Sequence, residues 1–91
     1  MRRYKWNPDK NEWLKCARGI SFDQVVLHIE QGDMVDIIDH PNQAKYPGQQ
    51  ILFVIINNYI WVIPFVKDGE DWFLKTIMPS RKATKVYLGE Q

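Results

Sequence analysis

Gln50-Ile51-Leu52-Phe53-Val54-Ile55-Ile56-Asn57-Asn58-Tyr59-Ile60-Trp61-Val62-Ile63-Pro64-Phe65 is the stretch on which the fold turns. Two runs of apolar, largely β-branched and aromatic residues flank Asn57-Asn58, and asparagine tolerates the positive φ that a tight two-residue hairpin turn demands. The expectation is an antiparallel pair, Gln50–Ile56 with Tyr59–Phe65. Side chains alternate along a strand, so Ile51, Phe53 and Ile55 share one face and Leu52, Val54 and Ile56 the other. Both faces are apolar, which marks central strands covered on both sides. Helices upstream supply one cover, and the second is expected from a partner protein, because a small monomer seldom leaves such a face open. Pro64 has no amide hydrogen to give to a ladder, so its strand should end or bulge there.

Outward from this hairpin the chain divides cleanly. Met34–Asp39 alternates apolar and acidic residues, as a half-buried strand does. His40-Pro41-Asn42 and Pro47-Gly48 break the chain between that strand and the hairpin. Lys67–Asp71 makes a further turn, and Trp72–Met78 reads as the last strand. Upstream, Asn7 caps a first helix, with Pro8 at its first position, Asp9 and Glu12 in its first turn, and Gly19 after Arg18 as its stop. Trp13, Leu14 and Ala17 form its apolar stripe, and Lys10 lies on the same face, either snorkelling over the core or reaching into a site. Ser21 and Gln24 form a capping box for a second helix, whose core face is Phe22, Val25, Val26 and Ile29 and which ends at Gly32. Ser80 opens a short final helix. The predicted class is α+β in a single domain over residues 1–91: two N-terminal helices, a four-stranded antiparallel sheet and a C-terminal helix.

A chain of 91 residues buries roughly 60–65% of its unfolded surface, enough to fold alone with little margin. Hydrophobic residues make up 45% of it, which argues against disorder. Cys16 is the single cysteine, so no internal disulfide and no multi-cysteine metal site is expected, and no cofactor is implied. Met1-Arg2-Arg3 is basic, but Tyr4-Lys5-Trp6-Asn7-Pro8 follows where a signal peptide would be apolar. Ile51–Phe65 is too short and too broken for a transmembrane helix. The expected compartment is a reducing cytoplasm, without membrane.

Net charge is only +1, yet its distribution is uneven. Residues 1–18 carry Arg2, Arg3, Lys5, Lys10, Lys15 and Arg18 against Asp9 and Glu12. Residues 23–39 hold Asp23, Glu30, Asp33, Asp36 and Asp39 and no Lys or Arg, whereas residues 75–85 hold Lys75, Arg81, Lys82 and Lys85 and no acid. Segregation of this kind either builds a local anion-binding face or is cancelled when the blocks pair in the fold.

Two clusters are candidates for chemistry. A helix start is positive, so Arg81 and Lys82 in the first turn each cost about 0.3–1 kcal/mol. Breaking that local rule twice points either to a phosphate held by the free amides, the Ser80 hydroxyl and the two cations, with Lys75 nearby on the preceding strand, or to counter-charge from Asp36 or Asp39. The loop His40-Pro41-Asn42-Gln43-Ala44-Lys45-Tyr46 gathers a near-neutral titrating group, a cation and a phenol, the ingredients of metal-free proton transfer and phosphate stabilisation; its alternative is a hydrogen-bonded bystander. His28 reads as structural. Two distant histidines do not make a zinc site, and there is no Gly-rich phosphate loop or serine nucleophile elbow. The aromatics Tyr59, Trp61, Phe65, Trp72 and Phe73 are either base-stacking or, more simply, core and interface.

Three ordered pieces, Trp6-Asn7-Pro8-Asp9-Lys10, then Arg18-Gly19-Ile20-Ser21-Phe22, then Pro79-Ser80-Arg81-Lys82-Ala83-Thr84, resemble the BrnT-type toxins of bacterial type II toxin–antitoxin pairs. In that family an aromatic, acid, proline and lysine open the first helix, a Lys-His-Gly-Val-Ser-Phe-like stretch joins the two helices, and an Ile-Ser-Ala-Arg-Lys-Ala-like stretch starts the last. Lys10, Gly19, Ser21, Phe22, Arg81, Lys82 and Ala83 match. The family histidine before the glycine is Arg18 here, and its Glu-Arg pair before the second strand is missing, with Lys45 and Tyr46 nearby. The resemblance implies a RelE-like fold, metal-independent endoribonuclease activity on RNA, and a hetero-oligomer with a small antitoxin that covers the sheet and the basic face. On that footing Arg81, His40, Lys45, Tyr46 and Lys75 are the expected catalytic residues: His40 or Tyr46 to take the 2′-hydroxyl proton, the cations to stabilise the scissile phosphate. Lys82, Ser80, Lys10 and Arg18 are the expected RNA contacts. The alternative is a non-catalytic module of the same fold that binds a partner protein or RNA without cleavage.

Overall fold

The computed structural model describes residues 3–89; Met1 and Arg2 of the basic N-terminal block, with Glu90 and Gln91, lie outside them. The chain runs β1 (Arg3–Lys5), α1 (Pro8–Arg18), α2 (Phe22–Glu30), β2 (Met34–Asp39), β3 (Gln49–Ile56), β4 (Tyr59–Asp68), β5 (Asp71–Leu74), β6 (Met78–Pro79) and α3 (Arg81–Leu88). The fold is mixed α+β, with one sheet ordered β1-β5-β4-β3-β2 and β6 paired to β4. Only β1, against β5, is parallel.

The hairpin forms as its sequence predicts: Asn57 and Asn58 take φ of 53° and 63°, and Ile56 faces Tyr59 across the turn. Leu52, Val54 and Ile56, with Ile63, Phe65, Trp72 and Leu74, make the sheet side of the core, and Leu14, Ile20, Phe22 and Val25 from the two N-terminal helices close it. The opposite face, carrying Phe53, Ile60 and Val62, is covered in part by α3, where Ala83 and Thr84 are buried. The second cover is thus supplied by the chain itself over part of that face.

Six strands replace the predicted four. β1 is three residues long, two of them charged, and its partner lies 68 residues away, where the Arg3 guanidinium meets Asp71 at 2.6 Å. No local pattern encodes such a pairing. Trp72–Met78 is not one strand: it breaks at Lys75-Thr76-Ile77 into β5 and β6, and Ile77 turns fully into the core. That break also corrects the reading of Pro64. β4 runs straight through Pro64 to Asp68. The Pro64 carbonyl accepts from the Lys75 amide at 2.8 Å, so its nitrogen points to the same side, where the chain bows away between β5 and β6. The missing donor falls in a gap that asks for none.

The helix boundaries follow their caps. The Asn7 side chain accepts from the Asp9 and Lys10 amides, and Gly19 closes α1 at φ 65°. The buried face of α1 is Asn11 and Leu14, not a stripe through Trp13 and Ala17. Trp13 is 48% exposed and is flanked by Lys10 and Arg18, at 4.4 Å and 5.2 Å from its ring centre. Asn11 is a buried joint: its Oδ1 accepts from the Phe22 amide at 2.7 Å and its Nδ2 donates to Asp23 at 3.2 Å. Among the described residues, no helix is long and apolar enough to cross a membrane.

Candidate functional site

The start of α3 is anchored to the sheet at one residue of β4. The Ser80 amide donates to the Ile60 carbonyl at 3.0 Å, and the Ile60 amide donates to Thr84 Oγ1 at 2.9 Å. Thr84 Oγ1 in turn donates to the Ser80 carbonyl at 2.7 Å. This closed set satisfies a buried backbone donor and holds the first turn of α3 against a rigid strand. The Ser80 hydroxyl accepts from the Ala83 amide at 3.0 Å, so it is the cap rather than a free ligand. Arg81 and Lys82 follow it directly, both exposed.

The acids of residues 23–39 do not answer these cations. Asp23 bonds Asn11, and Asp33 bonds His28 Nδ1 at 2.7 Å. Asp36 accepts from the Tyr87 hydroxyl and from the Ile37 amide, and Asp39 accepts from Gln50 Nε2. Among the described residues, Arg81, Lys82 and Lys85 enter no ion pair, whereas Arg3, Lys5 and Lys15 do. Neither Asp36 nor Asp39 forms an ion pair with this doubly cationic helix start. His28 is structural, as expected.

Beside this helix start lies a groove of about 400 Å³ between α3 and the outer half of the sheet. Ile38, Ile51, Phe53 and Val62 form its floor, Ala83, Val86 and Tyr87 one wall, and Pro41, Ser80 and Lys82 line it too. The Phe53 and Tyr87 rings meet at 5.3 Å. Ala83, Val86 and Tyr87 recur at helical spacing, the signal by which a sequence reading focused on the basic end of this helix would have found its apolar stripe. Hydrogen bonding to Asp36, together with burial and the Asp36 charge, raises the Tyr87 phenol above its ordinary pKa.

The groove touches both predicted clusters only at their margins, and His40, Lys45, Tyr46 and Arg81 do not line it. Pro41, which lines it, follows His40, and Lys82, which lines it, follows Arg81. In the loop, the Asn42 amide donates to His40 Nδ1 at 3.0 Å, so Nδ1 is an acceptor and Nε2 is the nitrogen left to donate. The His40 and Tyr46 rings pack at 4.5 Å, and Lys45 Nζ sits 5.3 Å from the Tyr46 ring centre. Lys75 lies on the far side of the same sheet face, its Nζ 5.3 Å from the Phe73 ring. Lys10 and Arg18 are elsewhere: α1 packs on the opposite face of the sheet, where both flank Trp13 and Arg18 also donates to the Ile77 carbonyl. Among the described residues no group of three or more His, Cys, Asp or Glu side chains is placed to hold a metal ion.

No protein-family model, curated protein or solved structure matches the chain.

Proposed function

We propose that this chain is the toxin of a bacterial toxin–antitoxin pair, a metal-independent endoribonuclease of BrnT type with a RelE-like fold, acting in the cytoplasm and neutralised by a small antitoxin. The observation that carries the reading is the start of α3. Two cations stand without an ion-pair partner among the described residues where the helix dipole disfavours them, on a rigid mount, beside a groove that Pro41 of the His40 loop also lines. A phosphodiester answers both the charge and the place.

In this reading the ribose 2′-oxygen attacks the adjacent phosphorus, the bond to the 5′-oxygen breaks, and a 2′,3′-cyclic phosphate remains. Arg81 stabilises the negative charge that grows on the phosphoryl oxygens, with Lys82 and the distal Lys75 and Lys45 drawing in the strand. Because Nδ1 of His40 is occupied, Nε2–H is the ring's free donor and can hydrogen-bond the departing 5′-oxygen, which takes its proton from water. The Tyr46 side chain, as phenolate, then remains as the group that takes the 2′-hydroxyl proton. Purified chain incubated with RNA in chelator tests this. Fragments ending in cyclic phosphate are expected, their formation slowed about 100-fold or more by Arg81→Ala, the scale of losing one preorganised transition-state donor. Intact RNA at high enzyme concentration contradicts it.

One observation favours the non-catalytic alternative. Arg18 stands where the family carries a histidine, and here it braces Ile77 and Trp13 rather than facing the groove. A module that binds its partner without cutting RNA would form the same complex and leave RNA whole.

A further inference from the structure

We infer that the groove under α3 is a nucleobase subsite that accepts a base by shape and stacking more than by reading its hydrogen-bonding edge. This rests on the RNA reading above and adds how the strand is held. Its volume of about 400 Å³ falls low in the range of small-molecule sites, roughly 300–1,000 Å³, which suits one flat ring system. Phe53 and Tyr87 offer aromatic surface inside it, and Val86 at its side is 68% exposed. A groove of this size with aromatic and aliphatic walls holds any base by its π-face.

The groups that would tell one base from another are few. Direct readout needs free donors and acceptors set against the base edge. Ser80 and Tyr87 bring the only hydroxyls among the lining side chains; Ser80 Oγ accepts from the Ala83 amide and the Tyr87 hydroxyl donates to Asp36, which leaves one Ser80 O–H and the Tyr87 oxygen. The other polar side chain is Lys82, a cation without an ion-pair partner among the described residues, in the same first turn as Arg81. Charge complementarity selects the occupant: an apolar slot beside these cations fits a base with its phosphate outside. The consequence is an RNA-binding site tolerant of sequence.

Anisotropy of labelled oligodeoxynucleotides, which lack the 2′-hydroxyl and cannot be cleaved, tests this with the full chain. Strands of equal length made of dA, dC or dT alone are compared with an abasic strand of the same charge. The base-bearing strands are expected to bind within about three-fold of one another and at least about ten-fold more tightly than the abasic strand. Phe53→Leu, and Val86→Ser on the surface should the first variant fold poorly, are expected to weaken only the base-bearing strands. Equal binding of the abasic strand overturns the subsite, and a preference above about ten-fold for one base overturns recognition by shape and stacking. A dimer in sedimentation that Val86→Ser dissociates assigns the groove to a second copy instead. Those three results leave the RNA reading standing; no binding by any strand, even at low salt, removes both.

Discussion

Arg81 is placed against its own helix. A cation in the first turn of α3 costs about 0.3–1 kcal/mol, and no acid among the described residues forms an ion pair with Arg81. Function and stability should therefore move in opposite directions at this position. Arg81→Glu is expected to raise the unfolding free energy by about 0.5–1 kcal/mol in urea titrations while abolishing RNA binding; a loss of stability would mean that the arginine is structural. Ser80→Ala, by contrast, removes the cap on the Ala83 amide and should cost about 1 kcal/mol. Two side chains set opposite limbs of the pH profile. Hydrogen bonds from Arg3 and then Lys5 hold the Asp71 carboxyl below the usual carboxylate range. Asp71 binds its proton less readily folded than unfolded, so the stability it contributes is complete above its unfolded pKa and is lost as pH falls through the folded one. Asp71→Asn should flatten the acid limb below about pH 4. The Tyr87 phenol is raised, so its contribution is complete below about pH 10 and is lost as pH rises through the folded value. Tyr87→Phe should lower stability at neutral pH and flatten the alkaline limb, as unfolding midpoints measured across pH would show.

At the scale of elements, the hairpin and the three caps were legible because their signals are local. Asn57-Asn58, Asn7-Pro8, Ser21 and Ser80 each act within a few residues of themselves. The short strands were not, because β1 and β6 exist only through partners distant in sequence, and three charged or polar residues in a row carry no alternation. Pro64 misled for a related reason: the rule against proline in a strand holds only where a donor is needed, and the gap between β5 and β6 removes the need. Trp13 misled because size and apolarity argue for burial, while Lys10 and Arg18 supply cover from outside. Of the candidate site, the cationic helix start could be read from Arg81 and Lys82, but the groove could not, since Ile38, Phe53 and Val86 meet only after β2, β3 and α3 assemble. The anchor of α3 offers its own check. Thr84→Val keeps the shape and leaves the buried Ile60 amide without its acceptor, at a cost of about 1–3 kcal/mol. Hydrogen exchange should then report faster opening at Ile60 and through α3, with the α1–α2 side of the core protected as before.

The whole molecule seals one face of its sheet and leaves the other, where the proposed RNA site lies, partly covered. α1 and α2 seal a core around Leu14, Phe22, Leu52 and Phe65, all fully buried. α3 leaves the other face partly open and carries beside it cations that have no ion-pair partner among the described residues. In the proposed reading, that division would let a chain with net charge +1 hold a polyanion, because the field that matters is local. RNA affinity should accordingly fall with salt, with a slope set by the few phosphates that α3 engages and lessened by about one when Lys82 becomes Ala. The most direct measurement of the central claim is growth and total RNA integrity after induction of the wild-type chain and of Arg81→Ala in cells lacking any antitoxin, at matched protein levels. The account predicts arrest and RNA degradation with the wild type and neither with the variant. Unimpeded growth with intact RNA at high wild-type expression, or equal toxicity of Arg81→Ala, would contradict it.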